Sequence, residues 1–147
     1  MKAVSKSARK VFDAAIARLG VDNHVVIGTQ GGTYIPLVVE MIGTTQFAGN
    51  PEQYALFSFC HYGEQNGDAM RDPEVVMMQH PTTKDLYPIS WRNDYVGSDK
   101  HDVTYDDNGY IQGIRPRQQA DNAAFCNMWA KNLKDQQGLG KSAKKAA

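Results

Sequence analysis

The sequence predicts an α+β domain, an antiparallel sheet of five to seven strands with an N-terminal and a C-terminal helix packed on it. Three observations lead there. Apolar residues recur at helical spacing only near the two ends, and between them lie short runs of β-branched and aromatic residues. Turn signals separate those runs so closely that antiparallel pairing is the simplest connection, and two helices with apolar stripes need a sheet face to cover.

The elements follow in order. Ala8, Val11, Phe12, Ala15, Ile16 and Leu19 form one face of a helix over residues 7–19, with Arg9, Lys10, Asp13 and Arg18 on the other face and Gly20 placed to end it. Strands are expected at 24–27, 33–42, 54–62, 74–80, 86–92, 101–105 and 110–114. The breaks are Gly31-Gly32, Gly49-Asn50-Pro51, Asn66-Gly67, Pro81-Thr82-Thr83 and Asp106-Asp107-Asn108-Gly109. The last is the strongest hairpin signal, because Asn-Gly accepts positive φ at low cost. Pro116 suits the first turn of a second helix reaching Gln137, with Phe125, Met128, Trp129 and Leu133 as its stripe and Gly138 as its end. Residues 1–139 read as a single domain and 140–147, with Lys141, Lys144 and Lys145, as a flexible basic tail.

A chain of 147 residues, 41% hydrophobic and 10% aromatic, has the material for one real core. Sixteen basic residues balance sixteen acidic ones, which argues against a broadly basic nucleic-acid binder, and 13 glycines without a period exclude a collagenous chain. No run approaches the roughly 18 apolar residues of a membrane span, and residues 1–10 carry Lys2, Lys6, Arg9 and Lys10 without the apolar run of a secretory signal, so a protein of the host cytoplasm without a membrane partner is expected. Cys60 and Cys126 are 66 positions apart in apolar surroundings and read as buried, reduced thiols. Charge is uneven along the chain. Residues 1–21 carry +4, residues 22–110 carry −9 and residues 111–147 carry +5. Either basic helices lie against an acidic sheet, or the helical face meets an acidic partner.

Two clusters carry candidate chemistry. The polar stretch 61–74 holds His61, Glu64, Asp68, Arg71, Asp72 and Glu74 between two apolar strands. Strand alternation puts Phe57, Phe59 and His61 on one side, with the imidazole near the carboxylates of a connecting loop. A histidine among carboxylates suits acid–base work or a hard cation, but the spacing matches no ligand motif, and a turn held by side-chain-to-backbone bonds explains the same residues. In the second cluster Tyr87, Trp91 and Arg92 come before the hairpin, and Arg115 and Arg117 come after it at the start of the second helix. Rings and guanidinium groups there would stack a base and hold a phosphate near free helix N–H groups. The structural alternative makes the rings core and the arginines cover.

Weaker patterns carry nothing further. The glycines of 28–33 lack a Walker lysine and dinucleotide spacing, and the aspartates between 99 and 107 lack the alternation and terminal Glu of a calcium loop. Ser58 and Ser90 have no nucleophile-elbow context, and His61 points away from Cys60 along a strand. No catalytic residue, metal ligand or cofactor is assigned.

The strings HYGEQNGDAMRDPEV at 61–75, YPISWRNDYVG at 87–97 and DDNGYIQGIRPRQQADNAAFCNMWAKNLKDQQGL at 106–139 resemble an uncharacterised domain family of plasmids, integrative elements and phages. The likeness spans roughly residues 8–139, with the EQNGD–MRDPE core and the RPRQQA…W ending as its motifs. It implies a mobile-element setting and brings no catalytic residue with it. By analogy of class, a small accessory protein of such an element acts on host machinery. The first reading is a non-catalytic binding module that counters host defence by holding a nucleotide-like signal or a host protein. Its residues are Trp91, Arg92, Arg115 and Arg117 with His61, Asp68 and Arg71. The alternative is a small metal-dependent hydrolase centred on His61, Asp68, Asp72 and Glu74. Self-association into a homo-oligomer is compatible with either.

Overall fold

The computed structural model describes residues 1–29 and 31–141. The expected tail therefore falls almost wholly outside the described residues. Helix α1 (Lys6–Ile16) is followed by strands β1 (His24–Ile27), β2 (Leu37–Thr45), β3 (Tyr54–Gln65), β4 (Asp68–Gln79), β5 (Leu86–Asn93), β6 (Ser98–His101), β7 (Val103–Tyr105) and β8 (Ile111–Ile114), and helix α2 (Pro116–Gln137) closes the chain. Strands β1 to β6 form one antiparallel sheet in sequence order, and β7 pairs with β8 in a second, two-stranded sheet. The α+β architecture is the expected one, with six strands in the main sheet.

Several boundaries differ from expectation for local reasons. Helix α1 is capped by the Ser5 hydroxyl, which accepts from the Ala8 N–H, and it ends at Ile16, three residues before its apolar face does. Leu19 still packs on the core from the following turn. Strand β2 starts at Leu37 because Pro36 has no N–H to offer a ladder. The polar stretch 61–74 is not a connecting loop. β3 and β4 run through it as one long hairpin, turning on Asn66 (φ 54°) and Gly67 (φ 85°). The run expected as one strand over 101–105 breaks at Asp102, where the chain leaves the main sheet as β6 and enters the small one as β7.

Alternation along the strands gives the main sheet two apolar faces with different covers. Leu37, Val39, Phe57, Phe59, Val75 and Met77 meet α1 and α2 through Phe12, Ala15, Trp129 and Leu133. The intervening Tyr54, Leu56, Val76 and Met78 meet Val103, Ile111 and Ile114 of the β7–β8 hairpin. A bulge in β5 puts Ile89 on the hairpin side while Trp91 packs on the helix side. On α2, Trp129 and Leu133 are buried and Phe125 half-buried as expected. Met128 is instead exposed, and Ala123, Cys126 and Ala130 complete the stripe. Small residues there let the helix sit close to the sheet.

Aromatic rings connect the layers. Phe12 meets Phe59 at 5.0 Å between centroids and Trp129 at 5.9 Å, and Trp129 meets Phe125 at 5.9 Å. His61 belongs to this core. Its Nδ1–H donates to the Pro36 carbonyl (3.0 Å) and its Nε2 accepts from the Trp129 indole N–H (3.2 Å), an arrangement that requires the neutral ring. Burial lowers its pKa, with the Pro36 hydrogen bond and Asp72 acting in the opposite direction.

Two outcomes follow. Trp129→Ala empties a buried aromatic position and leaves the His61 Nε2 unpaired, so a loss of about 3–5 kcal/mol in denaturant unfolding is expected. A shift under about 1 kcal/mol would show that the ring is not part of the core. Because the folded state resists protonating His61, the unfolded chain binds the extra proton below the ordinary value of 6.5, and stability falls as the pH is lowered through that range. Unfolding midpoints of the wild type and His61→Gln between pH 7.5 and 5 measure this, and the wild type is expected to have the steeper dependence.

Candidate functional site

The site begins with a carboxylate that the fold has to satisfy. Asp102 is fully buried, and its main chain is pinned on both sides, N–H to the Ile89 carbonyl (2.8 Å) and C=O to the Arg115 N–H (2.7 Å). Its side chain accepts from the Gln118 amide at Oδ1 (2.8 Å) and from the Asn122 amide at Oδ2 (2.8 Å). These donors come from one face of α2, four residues apart. Asn122 also donates to the Ser90 carbonyl (3.0 Å), and the buried Gln119 donates to the Pro88 carbonyl (3.0 Å) and pairs with both main-chain groups of Lys2. The first turns of α2 thus hold the β5 bulge, the β6–β7 corner and the N-terminal segment together. Burial and the Asp102 carboxylate push the Cys126 thiol well above its ordinary range.

Outside this network a cleft of about 190 Å³ opens between the sheet and α2, lined by Trp91, Lys100, Asp102, Gln118, Asp121, Asn122 and Phe125. Trp91 and Phe125 meet edge to face at 6.0 Å. Lys100, Gln118 and Asp121 also line an adjoining depression of about 430 Å³ with Arg115, Pro116 and Arg117. The two hollows form a groove that passes from aromatic to cationic along the start of α2. Arg115 occupies the N-cap position without a side-chain cap, and its guanidinium donates to the His101 carbonyl (2.9 Å). Pro116 has no N–H, and the first turn carries no acidic residue to answer the helix dipole. Among the described residues the arginines with carboxylate partners are Arg9, Arg71 and Arg92, and neither Arg115, Arg117 nor Lys100 has one.

The seven residues singled out in the sequence do not form one site. Trp91, Arg115 and Arg117 lie along this groove. Arg92, its strand neighbour, belongs to an ion-pair cluster around Asp94, with its Nε 2.8 Å from the Asp94 carboxylate. Arg71 joins that cluster, 3.6 Å from Asp94 and 3.4 Å from Glu74, and its main-chain N–H donates to Asp94 as well. The Arg71 N–H and the Arg92 guanidinium hold the Asp94 carboxyl below its ordinary range. Asp68 is exposed beside the β3–β4 turn, and His61 is enclosed under α2.

The hydrolase set is likewise dispersed. His61 faces the helices, whereas Glu74 lies on the other face, where it accepts from the Ser58 hydroxyl (2.9 Å), and Asp72 accepts from Asn93 (2.6 Å). Among the described residues no three His, Cys, Asp or Glu side chains are grouped to hold a metal ion. Cys60 is free and buried, its thiol pushed up to about 12 by burial and then by Glu74, so it is held as the thiol.

Lys100, Asp121 and Asn122 were not singled out in the sequence, Gln118 stood beside the arginines without a role, and Phe125 was read as core alone. Spacing of three and four residues on α2 would have put Gln118, Asp121, Asn122 and Phe125 on one helix face with the arginines at its start. Nothing local marks Asp102, which looked like one more aspartate of a polar turn.

Removing the central carboxylate has a defined cost. Asp102→Ala leaves the buried Asn122 amide and the half-buried Gln118 amide each short of an acceptor, the buried one costing about 1–3 kcal/mol. Asp102→Asn sets its amide donor against donors already committed to the carboxylate, so it is expected to destabilise measurably as well. Denaturant unfolding of both variants is the check, and a wild-type midpoint for either would remove Asp102 from its central place.

Among the described residues no helix is long and apolar enough to cross a membrane. No curated protein and no solved structure matches the chain. One family model does match, over residues 9–139, which includes every strand, all of α2 and the whole groove. The chain thus belongs to the family described as Domain of unknown function (DUF6908).

Proposed function

We propose that the protein is a non-catalytic binding module whose groove along the start of α2 holds a nucleotide-like anion. The observation that carries this reading is the placement of three cations without carboxylate partners, Lys100, Arg115 and Arg117, in continuity with the aromatic cleft of Trp91 and Phe125. A planar base fits against the rings, and a phosphate fits the guanidinium groups and the free N–H groups of the first helical turn. Among the described residues no thiol, hydroxyl or imidazole lines the groove, and both thiols are buried and held protonated, which favours binding over turnover as the reading. A mobile-element setting suits this role, since an accessory protein that sequesters a nucleotide signal disarms a host defence without needing to cleave anything.

Calorimetric titration with linear and cyclic nucleotides, with inorganic phosphate as a separate probe, tests the proposal. Each charge-assisted bond is worth about 1.5–3 kcal/mol, so the Arg115→Ala, Arg117→Ala double variant is expected to bind at least about tenfold more weakly than the wild type. Trp91→Ala is expected to weaken nucleotides but not phosphate. Absence of heat from every nucleotide with the wild type, or equal affinity in the double variant, overturns it.

A further inference from the structure

A second recognition feature lies at the far end of the β3–β4 hairpin, away from the α2 groove. Strand β3 runs four residues past its last partner on β2, because Leu37 pairs with His61 and the chain before Leu37 leaves the ladder at Pro36. Tyr62, Gly63, Glu64 and Gln65 are paired to β4 on one side. Among the described residues no backbone hydrogen bond reaches them from segment 31–36, and the one side-chain bond to their main chain is from the Tyr95 hydroxyl to the Glu64 carbonyl (3.4 Å). The opposite edge of the hairpin is treated differently. There the Arg71 N–H donates to the Asp94 carboxylate (2.9 Å) and the Arg71 carbonyl accepts from the Asp94 N–H (2.9 Å), so that edge is closed by its neighbour.

Beside this edge lies a groove of about 500 Å³, with Tyr62, Gly63 and Glu64 and, across the hairpin tip, Gly67 and Ala69 on one side and segment 31–36 on the other. Tyr34 and Ile35 in that wall are each 48% exposed, large apolar side chains with little to cover them. The wall is tethered, since Gln137 at the end of α2 donates to the Ile35 carbonyl (3.1 Å) and lies where a Cβ on Gly28 (φ 106°) would be. Proteins usually protect a free strand edge with lysine, proline or a cover, and residues 62–65 have neither Lys nor Pro. Glu64 is the one charged residue lining the groove, Asp68 sits across the hairpin tip, and no cation lines it.

We propose that this slot takes an extended segment of another protein as an added strand beside β3, with a Lys or Arg opposite Glu64 and apolar side chains against Tyr34 and Ile35. Main-chain bonds to the free edge supply general affinity, and the carboxylate with the apolar wall supplies selectivity. The slot shares no residue with the α2 groove, so the two recognise their ligands independently.

The test is selection of a displayed random heptapeptide library on the wild type and on Glu64→Lys, followed by amide hydrogen exchange with the best wild-type peptide. The wild type is expected to enrich peptides of alternating β-branched or aromatic residues that carry a Lys or Arg, and that peptide should protect the amides of residues 62–65. Glu64→Lys should bind it about tenfold more weakly and instead enrich peptides with Asp or Glu. The Arg115→Ala, Arg117→Ala variant should bind it like the wild type, which separates this slot from the nucleotide reading. No enrichment, the same basic peptides from both proteins, or protection elsewhere overturns the proposal. Concentration-dependent protection of residues 62–65 in the protein alone also overturns it, because the added strand would then be a second copy of this chain.

Discussion

The fold depends on satisfying one buried carboxylate. An isolated ionised carboxylate in a protein interior costs far more than a domain can supply, so the Asp102 side chain depends on the two side-chain amides that meet it, while two main-chain hydrogen bonds hold its peptide groups in place. Those four bonds reach β5 and the first turns of α2, and they fix the residue at which the chain leaves the large sheet for the small one. The same constraint accounts for the polar composition of α2 near its start. Gln118, Gln119 and Asn122 lie on a helix face that would otherwise be apolar, and each finds a carbonyl or carboxylate that the β5 bulge and the β6–β7 corner leave without a ladder partner.

Around that anchor the sheet carries two unlike covers. Helices spread across one face because α1 and α2 together present Phe12, Ala15, Trp129 and Leu133, while the short β7–β8 hairpin covers only the part of the other face occupied by Tyr54, Leu56, Val76 and Met78. The remainder of that second face is polar and is held by ion pairs. Ser58, Arg71, Glu74, Arg92 and Asp94 pair with one another there, partly exposed, although the Arg71 Nε has no hydrogen-bond partner among the described residues, and such contacts contribute modestly to stability. Of the acidic residues in the middle of the chain, Glu74, Asp85 and Asp94 are paired with arginines. Lys100, Arg115 and Arg117, without carboxylate partners among the described residues, lie together at the entrance to α2, with Asp121 beside them.

Of the four histidines His61 has been drawn into the interior, and so have both cysteines. His61 is held neutral between Pro36 and Trp129, and Cys60 and Cys126 are held as thiols by burial and nearby carboxylates. A polar residue that completes a core loses its access to solvent, and these three side chains serve packing and hydrogen bonding instead.

Much of the architecture was legible in the residues. The two helices, the run of antiparallel strands, the Asn-Gly turns and the strand-to-helix junction at Pro116 follow from periodicity and turn chemistry, because each depends on groups a few positions apart. The placement of Phe57, Phe59 and His61 on a common strand face also followed from alternation alone. The sequence could not tell that the stretch 61–74 is a hairpin arm whose carboxylates diverge, since pairing is chosen between strands and a bulge opposite His61 sets Glu74 on the face away from Asp68 and Asp72. Nor did it distinguish Arg92 from Arg115 and Arg117, three equivalent cations until Asp94 takes the first and leaves the other two lining a groove. Asp102 is the clearest case. By itself it is one aspartate among several, and only the meeting of β5, the β6–β7 corner and α2 supplies the donors that let it be buried, because hydrogen-bond satisfaction is decided by neighbours in space.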